Sequence, residues 1–305
     1  MITIPRTDLT IYPLSLGGNV FGWTATKDES FKVLDRFVEL GGNFIDTADV
    51  YSAWKEGNSG GESESIIGEW MESRGNRSKL VVATKVAKLP TKPGLSPSNI
   101  ASAVEDSLLR LRTDYIDLYY AHEDDEKVPQ EDYLSAFDKL VREGKVHYLG
   151  ASNFSAERLR SAHQISLKEN LSPFIAIQNH YNILEREEYE KTMMPTLQDL
   201  EITSIPYFGL ARGFLTGKYR KGIEVDSVRA KGVETYRNEY GWSIIERLER
   251  IADANSTSIA SIALAWLRSQ PTVVAPIASA RTVEQLEEIT PIVGLSDYEL
   301  AELSA

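Results

Sequence analysis

Apolar positions along the chain follow two alternating periods. Short runs such as Leu80-Val-Val-Ala-Thr-Lys85 and Ile116-Asp-Leu-Tyr-Tyr-Ala-His122 have the length and residue types of buried strands. Between such runs, sets such as Phe31, Leu34, Phe37 and Val38, or Ile100, Val104, Leu108 and Leu109, recur at helical spacing. The pattern predicts strands over 14–16, 43–46, 80–85, 116–120, 148–152, 174–178, 202–206 and 273–277, after an N-terminal β-hairpin at about 2–12. Ser96-Pro97 reads as a helix start, with serine capping and proline in the first turn. Thr282-x-x-Gln285 and Ser296-x-x-Glu299 read as capping boxes. Eight strand–helix units predict an α/β fold, a (β/α)8 TIM barrel forming one domain over residues 1–305. Two long polar loops, 52–61 and 218–242, are expected on the C-terminal face, where such barrels carry function.

Composition narrows the class. The 305 residues carry a net charge of -12 and no cysteine. Disulfides, thiolate metal sites and cysteine nucleophiles are excluded, and a reducing compartment is compatible. An acidic surface argues against nucleic acid or an anionic membrane as partner. The N-terminus lacks the pattern of a signal peptide, and no stretch approaches the ~20 apolar residues of a membrane span. The expectation is a soluble, cytoplasmic protein.

Three of the strand-like runs carry four ionisable groups at or just beyond their ends. They are Asp46 with Tyr51 five residues on, Lys85, and His122. Side chains alternate faces along a strand, so Lys85 shares its side with Ala83 and Val81, His122 with Tyr120 and Leu118, and Asp46 with Phe44. If those sides point into the barrel, the polar ends crowd one mouth. There Asp46 holds Lys85 charged, Lys85 draws the Tyr51 phenol below its usual value of about 10, and His122 orients an oxygen. Such a set suits protonation of a carbonyl oxygen as negative charge develops on it. Ser152-Asn153, Gln178-Asn179 and Tyr207 close other runs, and amides, a hydroxyl and a flat ring suit a nicotinamide. Near the C-terminus Ser279-Ala280-Arg281-Thr282 opens a helix, and a helix N-terminus beside an arginine suits phosphate.

Taken together, Gly-Gly-Asn-Phe-Ile-Asp46-Thr-Ala-Asp-Val-Tyr51, Val-Val-Ala-Thr-Lys85, His122-Glu-Asp-Asp125, Gly-Lys-Val-His-Tyr-Leu-Gly-Ala-Ser152-Asn153-Phe and Gly213-Phe-Leu-Thr-Gly217-Lys-Tyr resemble the aldo-keto reductases, in order, over about 14–289. The resemblance implies a catalytic tetrad at Asp46, Tyr51, Lys85 and His122. It implies NADPH (NADP+) as cofactor, with Ser152, Asn153, Gln178 and the stacking ring of Tyr207 at the nicotinamide. Leu210, Ala211, Gly213, Lys218 and Arg229 would line the pyrophosphate, and Arg281, Gln285 and Glu288 would hold the adenosine phosphate end. Two positions depart from the family pattern. Phe208-Gly209 stands where Ser-Pro is usual, and Ile289 where an asparagine follows the glutamate.

Plainer readings exist for single residues. Asp46 with Lys85 could be a structural ion pair, Gln178 could satisfy barrel backbone, and Arg281 could be solvated. Trp23 and Trp54 are either loop anchors or walls of a substrate pocket. His147, His163 and His180 read as surface or core histidines, and no metal-ligand spacing is present. Gly213-x-x-x-Gly217-Lys218-Tyr219 is too short for a phosphate loop and ends in tyrosine instead of serine or threonine. The leading expectation is an NADP-dependent oxidoreductase that reduces a small-molecule aldehyde or ketone, with Tyr51 as general acid. The competing expectations are a non-enzymatic NADPH-binding regulatory subunit and a Schiff-base lyase built on Lys85.

Overall fold

The structure of the chain, a computed structural model, describes residues 1–223, 225 and 230–305. Strands β1 (Ile2–Thr3) and β2 (Thr10–Ile11) form an antiparallel hairpin. Eight parallel strands follow: β3 (Ser15–Gly17), β4 (Phe44–Asp46), β5 (Val81–Val86), β6 (Ile116–Ala121), β7 (Val146–Ser152), β8 (Phe174–Gln178), β9 (Thr203–Ser204) and β10 (Ile277–Ala278). Each of β3 to β8 pairs with the next strand in sequence, and β10 returns to β3. The ring closes on the other side. Ser204 bridges Val273, Val274 N–H donates to the Ser204 carbonyl at 3.0 Å, and Ile277 N–H donates to Pro206 at 2.9 Å. The expected (β/α)8 barrel with its hairpin is the observed architecture.

Strand parity sorts the apolar residues into two cores. Phe44, Val81, Ala83, Leu118, Tyr120 and Ile205 face inward in one cluster, which Ile4, Leu9 and Ile11 of the hairpin region join. The alternate residues Ile45, Val82 and Tyr119 join the larger cluster under the helices. Gly150 of β7 makes room inside: a Cβ there would lie 2.4 Å from the Tyr120 ring. The hairpin therefore fills one end of the barrel with apolar side chains.

Among the described residues, ten α-helices surround the strands: α1 (Lys27–Glu39), α2 (Glu62–Arg74), α3 (Pro97–Leu111), α4 (Gln130–Arg142), α5 (Ala156–Lys168), α6 (Met194–Leu200), α7 (Glu239–Ala254), α8 (Ile259–Arg268), α9 (Val283–Ile289) and α10 (Asp297–Ser304). Helix α1 buries Val33, Leu34 and Phe37, each worth roughly 1.5–3 kcal/mol of apolar burial. Ser96 accepts from Asn99 N–H at the start of α3, with Pro97 in the first turn. The full capping box forms at Ser296 and Glu299. At α9 it is half formed: Thr282 accepts from Gln285 N–H, but the Gln285 side chain reaches back to Arg281 N–H instead of Thr282 N–H.

Two strands are shorter than the apolar pattern predicts. Only Thr203–Ser204 of 202–206 is regular, and of 273–277 only Ile277, at the start of Ile277–Ala278, because Pro206 and Pro276 have no N–H to continue a ladder. Both segments stay in place through the closing bonds given above. No helix among the described residues is long and apolar enough to cross a membrane.

Candidate active site

Parity carries Asp46 and Lys85 to the inward face at the C-terminal ends of β4 and β5, and His122 follows β6 by one residue. The segment after β4 is pinned to β5 by Thr47 N–H on the Ala83 carbonyl (2.8 Å) and Asp49 N–H on the Lys85 carbonyl (3.3 Å). That turn brings Tyr51 back over Asp46. The Lys85 ammonium donates to Asp46 Oδ2 at 2.7 Å, to the Thr47 carbonyl at 2.7 Å and to the Tyr51 hydroxyl at 3.0 Å. Tyr51 in turn donates to Asp46 Oδ2 at 3.1 Å. Gln178 completes the carboxylate from across the barrel, its Nε2 donating to Asp46 Oδ1 at 2.8 Å. The His122 ring meets Tyr51 edge-on, with centroids 6.1 Å apart.

Burial dominates the electrostatics. Lys85 is fully buried, which pulls its pKa below the ordinary lysine value, while Asp46 opposes the shift. Burial, then Lys85 and Lys88, push His122 well below the usual histidine range, so its ring is neutral at neutral pH. Its Nδ1 is buried with no hydrogen-bond partner among the described residues. Tyr51 reverses one expectation from the sequence. Burial first, and then the Asp46 carboxylate on which its hydroxyl rests, raise the phenol well above its ordinary value. The ammonium beside it does not outweigh them, because Asp46 shares that ammonium.

A cavity of about 740 Å³ opens above these groups. Tyr51, His122 and Trp54 form one side; Ser152, Asn153, Gln178 and Tyr207 line its floor; Arg281, Gln285 and Glu288 of the α9 region also line it. Leu210, Gly213 and Lys218 contribute from the segment after β9. Asp46 and Lys85 lie beneath the wall, and Ala211 is fully buried and does not reach the cavity. Trp23 is not on the cavity wall either; it packs edge-on against Trp54 at 5.6 Å. Arg229 lies outside the described residues. His180, read from sequence as a bystander, stacks on the Tyr207 ring at 5.6 Å and 17°. The sequence reading also missed Asn19, Lys88 and Arg212, all cavity-lining, while Ser279 of the Ser279–Thr282 segment lines the cavity too. Asn19 and Ser279 are joined by a 2.5 Å hydrogen bond between the loops after β3 and β10. The only sequence signal of Asn19 was its position just past a strand.

The donor set fits a nicotinamide dinucleotide. Tyr207 presents a ring held by its hydroxyl on Asn153 Oδ1 at 2.7 Å. Asn153 is anchored by Nδ2 on the His122 carbonyl, 2.8 Å, and on Ser152 Oγ, 3.0 Å. Gln178 gives one amide hydrogen to Asp46, which leaves its second hydrogen and its oxygen for a carboxamide. Beyond Tyr207 the backbone is unusual. Phe208, Ala211 and Arg212 have φ of 55°, 46° and 58°, and Gly213 has φ of 96°. Left-handed backbone at non-glycine residues costs roughly 1 kcal/mol each, and strain of this kind gathers at ligand sites.

The sequence profile of the Aldo/keto reductase family matches residues 13–305. The chain is 34% identical to the uncharacterized oxidoreductase YrpG of Bacillus subtilis, over 95% of this chain and 90% of that protein. It is 33% identical to a putative voltage-gated potassium channel subunit beta of Schizosaccharomyces pombe, over 93% and 85%. It is 34% identical to an aryl-alcohol dehydrogenase [NADP(+)] of Phanerodontia chrysosporium, over 92% and 78%. With the barrel, the strand-end groups and this match over nearly its whole length, the chain belongs to the aldo/keto reductase family.

Proposed function

We propose that the protein reduces aldehyde or ketone carbonyls to alcohols with NADPH, and that Tyr51 is the proton donor. The observation that carries this reading is the ammonium of Lys85 set between Asp46 Oδ2 (2.7 Å) and the Tyr51 hydroxyl (3.0 Å), under the cavity wall. When bound, the cofactor supplies the hydride for the carbonyl carbon. The chain's own residues handle the oxygen. A phenol held above its ordinary value keeps its proton at neutral pH and yields it only to a stronger base, such as an oxygen acquiring alkoxide charge. Lys85, 3.0 Å away, then faces the phenolate that forms, and Asp46 holds the ammonium in place. The neutral His122 ring orients the substrate oxygen toward Tyr51. Ser152, Asn153, Gln178 and Tyr207 would hold the nicotinamide, and Lys218 with Arg281 supports preference for the 2′-phosphate of NADPH. The NADP(+) in the name of the aryl-alcohol dehydrogenase relative points the same way.

The Schiff-base reading fits poorly. Lys85 is fully buried and directs its hydrogens to Asp46, Thr47 and Tyr51, leaving none for a carbonyl in the cavity. A regulatory subunit draws support from the name of the fission-yeast relative. The complete acid–base set weighs against it. The test is loss of the reduced-nicotinamide absorbance band across a panel of aldehydes and ketones, with NADPH and with NADH. Turnover with NADPH is expected. Tight NADPH binding with no turnover on any carbonyl would favour the regulatory reading.

A further inference from the structure

The cations around the cavity fall into two groups. Among the described residues, Arg212, Lys218 and Arg281 line it from the segments after β9 and β10, whereas Lys88 lines it from the loop after β5. In the closed ring β5 stands opposite β9, with β4 and β6 as its neighbours. Lys88 therefore reaches the mouth between Tyr51 and Trp54 on one side and His122 on the other, across from the proposed dinucleotide. It takes no part in the proton transfer. Its loop is firmly held. The buried Ala87 just before it has φ of 116°, a left-handed conformation that persists in a non-glycine residue only where the surroundings enforce it. The Ala87 carbonyl accepts from Gly94 N–H at 2.8 Å, and Leu95 N–H donates to Asp125 Oδ2 at 2.9 Å. Asn99 Nδ2 ties the Lys92 and Gly94 carbonyls to the start of α3.

The neighbouring carboxylates leave that ammonium available from within the cavity. Glu123 lies 3.4 Å from Lys88 Nζ, longer than a charge-assisted hydrogen bond, and stands outside the lining. Asp124 is taken by Arg158 and Tyr133, and Asp125 by Leu95 N–H. Glu288 is the one carboxylate in the lining among the described residues, and it belongs to the α9 side. An ammonium that faces a cavity with its counterion outside offers its charge to an anion that enters. The rings of Trp54 and Tyr51 beside it exclude water, which strengthens such a pair. We infer that the carbonyl substrate carries an acid group, carboxylate or phosphate, and that Lys88 grips it, an assignment that rests on the reductase reading above. The carbonyl meets Tyr51 and His122, the acid group takes the place of Glu123 at Lys88, and the Trp54 ring covers the body between them.

The test compares para-carboxybenzaldehyde and para-formylphenyl phosphate with the uncharged para-formylbenzamide, in steady-state assays of the full chain with NADPH. Wild type should favour at least one acid over the amide in kcat/KM, chiefly through KM, and the preference should shrink with added salt. K88M should lose about 10-fold of that preference, the worth of one charge-assisted contact. K88Q should match it and guards against misfolding of a single variant, with thermal melts checked for each. E123Q, which removes the competing carboxylate, should raise the preference by about two- to fivefold. Because each variant is read as a ratio between substrates, any effect of the lost charge on His122 cancels. Calorimetric titration with para-hydroxymethylbenzoate and its amide reads the same grip without turnover. Wild type that handles acid and amide alike, or a preference that K88M and K88Q leave within about twofold, would overturn the assignment and leave the reductase reading intact. Lys88-dependent binding of the benzoate in a protein that turns over no carbonyl would support the grip and overturn the reductase reading instead.

Discussion

Lys85 and Tyr51 come from different strand–helix units, yet the ammonium of one reaches the hydroxyl of the other at 3.0 Å, with no room for water between them. The contact depends on the turn after β4, which folds Tyr51 back over the end of β5. If Tyr51 is the acid, Y51F keeps the ring and its contacts with Trp54 and His122 but removes the proton. Turnover should fall by about 10³- to 10⁴-fold, in the range of general-acid catalysis, while NADPH affinity stays within about twofold. K85M should show the same pattern. Y51F retaining even a tenth of wild-type turnover, in steady-state assays with calorimetric cofactor binding alongside, would remove the phenol as donor.

His122 yields a pH prediction that does not require turnover. Its pKa in the folded protein is held well below the ordinary 6.5 by burial and by Lys85 and Lys88. Below about pH 6.5 the unfolded chain takes up a proton that the folded chain refuses, so stability falls as pH falls. One such group contributes a slope of at most about 1.4 kcal/mol per pH unit. His163 and His180 are lowered by burial as well, so wild type alone cannot isolate the effect. The difference between wild-type and H122N unfolding free energies, from urea melts at pH 5 to 8, should be level above about 6.5 and shrink below it. A difference that does not vary with pH would mean that this ring takes up its proton in the folded protein as readily as in the unfolded chain.

The alternation of the strands made Asp46, Lys85 and His122 legible before any coordinates, because period-two parity fixes which side chains enter the barrel. Closure of the ring was legible from eight apolar runs, although the exact bounds were not. Pro206 and Pro276 interrupt the ladders of the last two strands, and apolar content does not register a missing N–H. The bond from Gln178 to Asp46 spans 132 residues and joins non-adjacent strands, which no local pattern encodes. The direction of the Tyr51 shift was misread for a related reason. From sequence the lysine is the nearest charge; in space the hydroxyl also rests on Asp46, and burial outweighs both.

If the cavity takes a carbonyl substrate as proposed, Trp54 is placed to shape it. It lines the cavity, is 48% exposed, and sits 6.0 Å from the Tyr51 ring, with Trp23 edge-on behind it at 5.6 Å. An aromatic carbonyl would gain stacking there of roughly 0.5–1.5 kcal/mol beyond simple burial. W54A should therefore raise KM for benzaldehyde-type substrates by about 10-fold and for short aliphatic aldehydes by no more than about twofold, with kcat nearly unchanged. Stability should change little, because the side chain is half in solvent. Equal effects on both substrate classes would make Trp54 a loop anchor instead.

Behind the site lies a group whose cost to the fold can be measured. Asp49 is 1% exposed, and neither carboxylate oxygen has a hydrogen-bond partner among the described residues. Burial first, and then the neighbouring Glu64, raise its pKa from 3.8 to about 7, although Arg110, the Val50 backbone and Lys85 pull the other way. An acid raised on folding favours the folded state only while protonated. Its contribution is therefore full below about pH 3.8 and is lost as pH rises through about 7, leaving an ionised carboxylate that the fold solvates poorly. The shift corresponds to roughly 2–4 kcal/mol, allowing for the coupling among these groups. D49N keeps the shape and removes the charge. It should be more stable than wild type at pH 8 by about that amount, with the advantage shrinking steadily toward pH 5 as wild type takes up its proton. Urea unfolding of both proteins across this range decides the matter. A D49N protein less stable than wild type at pH 8 would mean that the ionised carboxylate is well held, by partners or by water, in the folded protein.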